Sequence, residues 1–242
     1  LKNPKVLIWD LETGGVNAFK ADLGFILNFG YKWLGEKEVT VLKVSDYKGW
    51  FEKTRNLPVN DKPLLEAALK IMFQADMLVA HYGDRFDRRF FQGRCAIQGL
   101  MSPPPTIQRD TWRIARGAFA FSSNRLGNLA KTFQLAEKKH EKTANQWPGW
   151  WFRAMAGDKT AVEEMALYCA QDVRTTEKLY LKIRVYDNMQ HPRLHPNRAN
   201  CKLCGGSVHY EGFRTTTERK YKRYRCVNCG RWGHESKAEP RD

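Results

Sequence analysis

The chain predicts a mixed-sheet α/β fold flanked by helices, followed by a small cysteine-built module. Three observations carry this expectation. Strand-like and helix-like apolar patterns alternate through the first half, and a largely helical stretch follows. Four of the six cysteines fall beyond residue 200 in two Cys-x-x-Cys pairs. Between these parts, HPRLHPN at 191–197 stops the preceding helical pattern and reads as a linker.

The elements follow in order. Residues 5–11 are an apolar strand. LGFILNFGYKW at 23–33 and EVTVLKVS at 38–45 read as antiparallel neighbours, with Gly35 in their turn. Leu64, Leu65, Ala68, Leu69 and Met72 recur at helical spacing within 62–75. MLVAHY at 77–82 is a short buried strand, and Asp87 begins the helix after it. SPPP at 102–105 is a stiff loop, and TIQRDT is the last strand. Residues 125–135 and 158–186 are helices. The second of these carries one buried stripe: Val162, Met165, Cys169, Val173, Thr176, Tyr180 and Ile183.

The charge balance narrows the partners. The chain has 41 Lys and Arg against 26 acidic residues, a formal +15. Residues 191–242 hold 12 basic against 5 acidic residues, so the tail is more basic per residue than the rest. Such an excess favours a polyanion, nucleic acid first. No apolar run reaches the length of a membrane span, and the N-terminal segment has no signal-peptide layout. The expectation is an intracellular, cytoplasmic protein with no membrane partner.

Cys201-x-x-Cys204 and Cys226-x-x-Cys229, about twenty residues apart, have the spacing of a zinc ribbon over 198–236 with one structural Zn²⁺. Gly205, Gly206 and Gly230 after the pairs let backbone amides turn toward sulfur. Four thiolates complete a tetrahedral site, which leaves His209 and His234 as surface residues. Cys95 and Cys169 read as buried structural thiols. Between the knuckles, Arg219, Lys222 and Arg223, with Thr215, Lys220 and Arg225, form a basic hairpin interleaved with Tyr221, Tyr224 and Trp232. That mixture suits phosphate contact with base stacking, or alternatively a protein-docking knob.

The chemistry lies in four carboxylates and a tyrosine. Asp10 and Glu12 in VLIWDLETGG are two apart on a strand, so both leave one face. Tyr168 and Asp172 in ALYCAQDVRTTEKL are four apart on a helix and share a face. Asp87 lies in LVAHYGDRFDRRFF. Buried carboxylates need partners, and divalent cations are the usual ones.

At these residues the chain resembles the DEDD 3′→5′ exonucleases of the RNase H-like superfamily, in the DEDDy branch with tyrosine in the last motif. Asp10-Leu11-Glu12-Thr13 matches the first motif, His81 through Asp87 the second, and Tyr168-x-x-x-Asp172 the third. Tyr82 stands where many members have Asn. GDRFD is similar to phage-encoded exonuclease-like proteins. The resemblance implies an RNase H-like fold for an exonuclease domain at 1–190, and two Mg²⁺ or Mn²⁺ ions. Asp10 would bridge both, Glu12 and Asp172 would complete the ion that activates water, and Asp87 would hold the other. Tyr168 would orient the water. Thr13 and Gly14 would offer backbone contacts to the terminal nucleotide, with His81 and Phe86 beside it. Trp150, with Trp147 and Trp151, could stack on bases or pack a loop onto the core. Lys138, Lys139 and Lys142 would face phosphates or solvent.

The resulting expectation is a metal-dependent 3′→5′ exonuclease releasing nucleoside 5′-monophosphates, with DNA ahead of RNA as substrate. An exoribonuclease of the same chemistry and a catalytically weak nucleic-acid-binding scaffold are the alternatives. Proofreading would require a replication or repair protein in trans. LETGGV lacks the Lys-Ser/Thr pair of a phosphate-binding loop, so it gives no support to nucleoside-triphosphate hydrolysis.

Overall fold

A computed structural model describes residues 4–52, 57–135, 147–187 and 199–240. Lys138, Lys139, Lys142 and the 191–197 linker lie outside these residues. The chain divides into two compact units, Lys5–Tyr180 and a second formed by Leu1–Pro4 with Leu181–Asp242.

The larger unit is a five-stranded mixed sheet in the order β3-β2-β1-β4-β5, flanked by helices, as expected. β1 (Val6–Gly15), β2 (Gly24–Trp33) and β3 (Thr40–Lys43) form an antiparallel meander. Gly35 makes the β2–β3 turn at φ 89°, a conformation open to glycine at little cost. β4 (Met77–Ala80) and β5 (Ile107–Asp110) add in parallel beside β1. Parallel strands need crossovers, and α1 (Lys62–Met72) and α2 (Asp87–Ile97) supply them. The apolar positions predicted for α1 are all buried.

β1 alternates as a strand covered on both faces must. Trp9 packs on Phe29 and on Phe91 of α2. The opposite face carries Asp10 and is covered by α6 (Lys159–Ile183). All seven residues of the predicted α6 stripe are fully buried. Asp158 starts α6 by accepting from Thr160 N and Ala161 N at 2.9 and 3.2 Å. A buried pair, Lys32 on β2 with Glu177 on α6, fixes the helix along the sheet, and Glu177 also accepts from Gly35 N at 3.1 Å. Gly30 lies opposite Asp10 in the β1–β2 register. A Cβ there would come within 2.6 Å of Cys169 Sγ, so glycine lets α6 approach the sheet beside the carboxylates.

Several elements differ from expectation. β1 runs on to Gly15, four residues past the expected end, because the hairpin with β2 continues through a bulge between Glu12 and Thr13. The third strand ends at Lys43 and turns into a short 3₁₀ segment, Val44–Asp46. α3 (Thr111–Ala118) begins directly after β5, and α4 (Leu126–Thr132) is shorter than the predicted helix. α5 (Trp147–Met155) occupies the aromatic segment read as a loop. Pro148 and Gly149 disguise it, yet proline is tolerated in a helix's first turn.

In the smaller unit, β6 (Val208–Thr215), β7 (Arg219–Cys226) and β8 (Trp232–His234) form an antiparallel sheet, and β9 (Glu239–Pro240) also pairs with β7. Arg231 donates to the carbonyls of Arg184 and Asp187 at 2.8 and 3.2 Å, which ties the strands to the segment after α6. Among the described residues no helix is long and apolar enough to cross a membrane.

Candidate active site

β1, β4 and β5 run parallel, so their C-terminal ends share one edge of the sheet. Ile8 pairs with Val79, which sets Asp10 level with the residue after β4. Ligand sites of open α/β sheets favour this end. Asp10 and Glu12 project from β1. Asp87 opens α2, and its Oδ1 accepts from Leu11 N, between the two β1 acids, at 3.2 Å. Asp172 and Tyr168 reach the same place from α6, where the Tyr168 hydroxyl hydrogen-bonds Asp172. The four carboxylates expected to act together are thus electrostatic neighbours.

Their crowding has a measurable consequence. Burial, then the charges of Asp87, Asp172 and Glu12, push the Asp10 carboxyl well above the usual range. Burial, Asp172 and Asp87 do the same to Glu12. Asp87 is pushed up to about 7, chiefly by burial. Such a group cannot stay ionised as a set without positive charge among it. Oxygen donors in this number suit hard divalent cations, so the residues fit Mg²⁺ or Mn²⁺. Burial and the adjoining acids also raise the Tyr168 phenol, so it is a neutral hydroxyl at neutral pH and can orient a water but supplies no phenolate.

Cys169 is more than a packing residue. It is buried, as expected, but its Sγ lies 3.7 Å from Asp10 Oδ2 and 3.8 Å from Asp10 O. Ligand atoms of Asp10, Glu12 and Cys169 fall within 4.8 Å of one another. Burial and the neighbouring carboxylates raise its thiol well above the ordinary value. It therefore faces Asp10 as a protonated S–H donor rather than a thiolate. Its place in the stripe, next in sequence to Tyr168, was the available signal.

Asp110 was also missed. It is buried at the end of β5. Its Oδ1 accepts from Tyr82 N at 2.8 Å and Trp112 N at 2.9 Å, and its Oδ2 from Asp84 N at 3.2 Å. One carboxylate thus caps α3 and holds the loop that delivers Asp87. An Asp two residues before Trp112 at a strand end is an N-cap signal that would have found both it and α3. Tyr82 adopts φ 63°, a left-handed conformation that asparagine accepts more readily. Two backbone bonds to Asp110, from Tyr82 N and Asp84 N, hold this loop in place.

The expected substrate contacts divide. The Thr13 hydroxyl donates to Ala18 O at 2.7 Å, and its carbonyl accepts from Trp151 Nε1 at 2.9 Å. Gly14 is buried, and a Cβ on it would meet Phe25, Leu27 and Met155 within 3.1 Å, so its small size serves the packing of α5 on β1. His81 pairs its Nδ1 with Thr111 Oγ1 at 2.8 Å, and burial lowers its pKa to about 4, so it is neutral. Phe86 is half-buried between Phe19 and Phe90. Trp150 is corrected: it is 7% exposed in the apolar core and has no free face for a base. The packing alternative holds for it because an apolar ring at that helix position gains more by leaving water.

In the smaller unit, the sulfurs of Cys201 and Cys229 are 3.9 Å apart and those of Cys204 and Cys226 3.5 Å apart. Four sulfurs about 2.3 Å from one Zn²⁺ in a tetrahedron would stand about 3.8 Å apart, so the cluster fits that ion. Gly206 N and Cys229 N donate to sulfur at 3.4 and 3.5 Å. His209 and His234 are exposed, and His234 meets Arg214. Arg219, Lys222 and Arg223 are exposed on β7, with Arg223 4.7 Å from the Trp232 ring centroid. Tyr224 is corrected from a stacking residue to a ribbon core residue, 8% exposed against Tyr210.

The fold and the acidic edge define a known class. The RNase_H superfamily model matches residues 7–184, and the chain belongs to that superfamily. Membership supports a nuclease. Among solved structures the chain is similar to a family B DNA polymerase from the hyperthermophilic archaeon Pyrobaculum calidifontis, with a TM-score of 0.58 and 15% identity. The similarity covers 76% of this chain and 25% of the polymerase chain, and at that identity it concerns the fold. A search of curated proteins gave no match.

Proposed function

We propose that the chain is a DEDDy-type, metal-dependent 3′→5′ exonuclease acting on DNA, of phage type on the strength of GDRFD. One observation carries the reading: Asp10, Glu12, Asp87 and Asp172 are gathered at one sheet edge, where burial first and neighbouring carboxylates second drive Asp10, Glu12 and Asp87 toward protonation. Acids buried together in this way gain nothing structurally, whereas a bound cation would offset both the burial and the like charge. The DNA polymerase among the similar structures supports DNA over RNA. Residues 1–190 would form the catalytic domain and 198–236 a four-cysteine zinc ribbon.

The four carboxylates would hold Mg²⁺ or Mn²⁺. Bound there, the ions would neutralise charge on the phosphate and lower the pKa of a water so that it can attack as hydroxide. Tyr168, held by its hydrogen bond to Asp172, positions that water. Asp110 keeps the Asp87 loop in register, and the Cys169 thiol orients the Asp10 carboxylate. Water adds to phosphorus, the 3′-oxygen of the preceding nucleotide leaves with a proton, and a nucleoside 5′-monophosphate is released.

The test uses 5′-labelled DNA and RNA of one sequence with Mn²⁺. The expected result is a ladder shortening from the 3′ end of DNA, absent in Asp10→Ala. A ladder on RNA alone would make the protein an exoribonuclease. No shortening of either would leave a nucleic-acid-binding scaffold.

A further inference from the structure

The loop after β4, the first turn of α2 and α3 carry cations that the acidic site does not use. Every basic residue between 82 and 116 is an arginine. Arg94 is buried in a two-pronged pair with Asp61. Arg109 is buried as well. The other five arginines gather around Trp112. Arg85, Arg88, Arg89 and Arg113 line one concavity with it, beside Asp84. The guanidinium of Arg116 lies 5.1 Å and that of Arg85 5.5 Å from the Trp112 ring centroid, and Tyr82 meets the ring edge-on at 5.1 Å.

This is not an internally neutralised surface. Arg113 pairs with Asp84 at 2.9 Å yet its side chain stays 59% exposed. Among the described residues, Arg85, Arg88, Arg89 and Arg116 have no carboxylate at ion-pair distance. Arg88 Nε is buried without a hydrogen-bond partner. Like charges packed this closely repel one another, and an anion would relieve that. Trp112 holds two guanidinium groups beside its ring, a contact that leaves their N–H edges free. Its backbone N–H is itself fixed by Asp110.

We propose that this arginine–tryptophan concavity binds the phosphodiester backbone of the nucleic-acid strand that enters the carboxylate site. The inference rests on the nuclease reading above and names where that substrate is held. Guanidinium forks match phosphate oxygens, and Arg85, Arg88 and Arg89 flank Asp87 in the same loop and helix turn, while Arg113 and Arg116 come from α3. A strand with its scissile phosphate at Asp87 passes over them. The acidic edge alone would repel a polyanion, so attraction has to come from its rim.

The test is binding of 5′-labelled single-stranded DNA, followed by fluorescence anisotropy across a salt series without added Mg²⁺ or Mn²⁺. Two double variants, Arg85→Ala with Arg116→Ala and Arg89→Ala with Arg113→Ala, share no position, so a folding failure in one leaves the other informative. Each pair should weaken binding about tenfold and reduce the magnitude of the slope of log K against log salt by roughly 1.4, for two phosphate contacts on a single strand. With Mn²⁺, KM should rise while kcat stays within about twofold. Arg85→Lys with Arg116→Lys should keep the slope and lose part of the affinity, since charge remains without the fork. Unchanged affinity and slope in both alanine pairs overturns the proposal and leaves an acidic protein surface as the occupant. Weaker binding in the variants, with no cleavage by the wild type on any substrate, would sustain the patch and overturn the nuclease reading.

Discussion

The carboxylate edge and the cysteine cluster could each hold metal, by opposite routes. The carboxylate edge draws Asp10, Glu12, Asp87 and Asp172 from three elements that meet only when the sheet and α6 have packed. Its ligands are hard, buried and mutually repelling. The cysteine cluster needs only two short knuckles and one hairpin, and its sulfurs already stand at tetrahedral separations. One site depends on a hydrophobic core for its existence. The other substitutes for a core in a unit with few buried side chains.

The difference predicts how each site fails. Asp10→Ala or Asp172→Ala should reduce cleavage at least about a hundredfold, because each removes charge from a metal position. The zinc content of these variants, read by elemental analysis, should stay near one per chain. Turnover close to wild type in either would break the assignment. Tyr168→Phe should cost less, about a hundredfold at most, because it deletes a neutral hydroxyl that positions water and no ligand. A loss equal to that of Asp172→Ala would move Tyr168 from positioning to an obligatory role. Cys204→Ser with Cys226→Ser should abolish zinc binding and melt the β6–β8 hairpin, with a smaller effect on cleavage of short substrates. Loss of both activities together would show that the two sites are not independent.

The same difference explains what could be read beforehand. Spacing encodes the cysteine cluster, since its ligands sit on local knuckles. The four acids were legible from motif order, and α1, α2 and α6 from apolar periodicity and the Asp87 start. What escaped was support. Asp110 acts through three backbone N–H groups, a role that depends on the loop it meets. Cys169 looked like one more apolar stripe residue until Gly30 opened the space that seats it beside Asp10. Stacking stayed open for Trp150 and Tyr224, because exposure is a tertiary property that composition does not carry. α5 was hidden by Pro148 and Gly149, and its packing against Gly14 and Thr13 comes from long-range contacts.

The smallest effect follows from the burial of the acids and separates the two sites by pH. In the unfolded chain an aspartate releases its proton near pH 4, whereas in the folded protein burial holds Asp87 up to about 7. Between those values the folded state keeps protons that the unfolded state has lost. Stability of the protein freed of Mg²⁺ and Mn²⁺, with its zinc retained, should therefore fall as pH rises from about 4 to about 7. The larger unit's melting temperature should drop by several degrees over that interval. Added Mg²⁺ should recover it at pH 8 and do little at pH 5, because cations stabilise only the ionised carboxylates. Asp87→Asn removes the titrating group and one repelling charge. It should flatten the decline and raise the metal-free melting temperature at pH 8. A melting temperature that climbs from pH 5 to 7.5 in the wild type, with Asp87→Asn no more stable, would mean that burial does not hold the acids protonated and that they do not demand a cation.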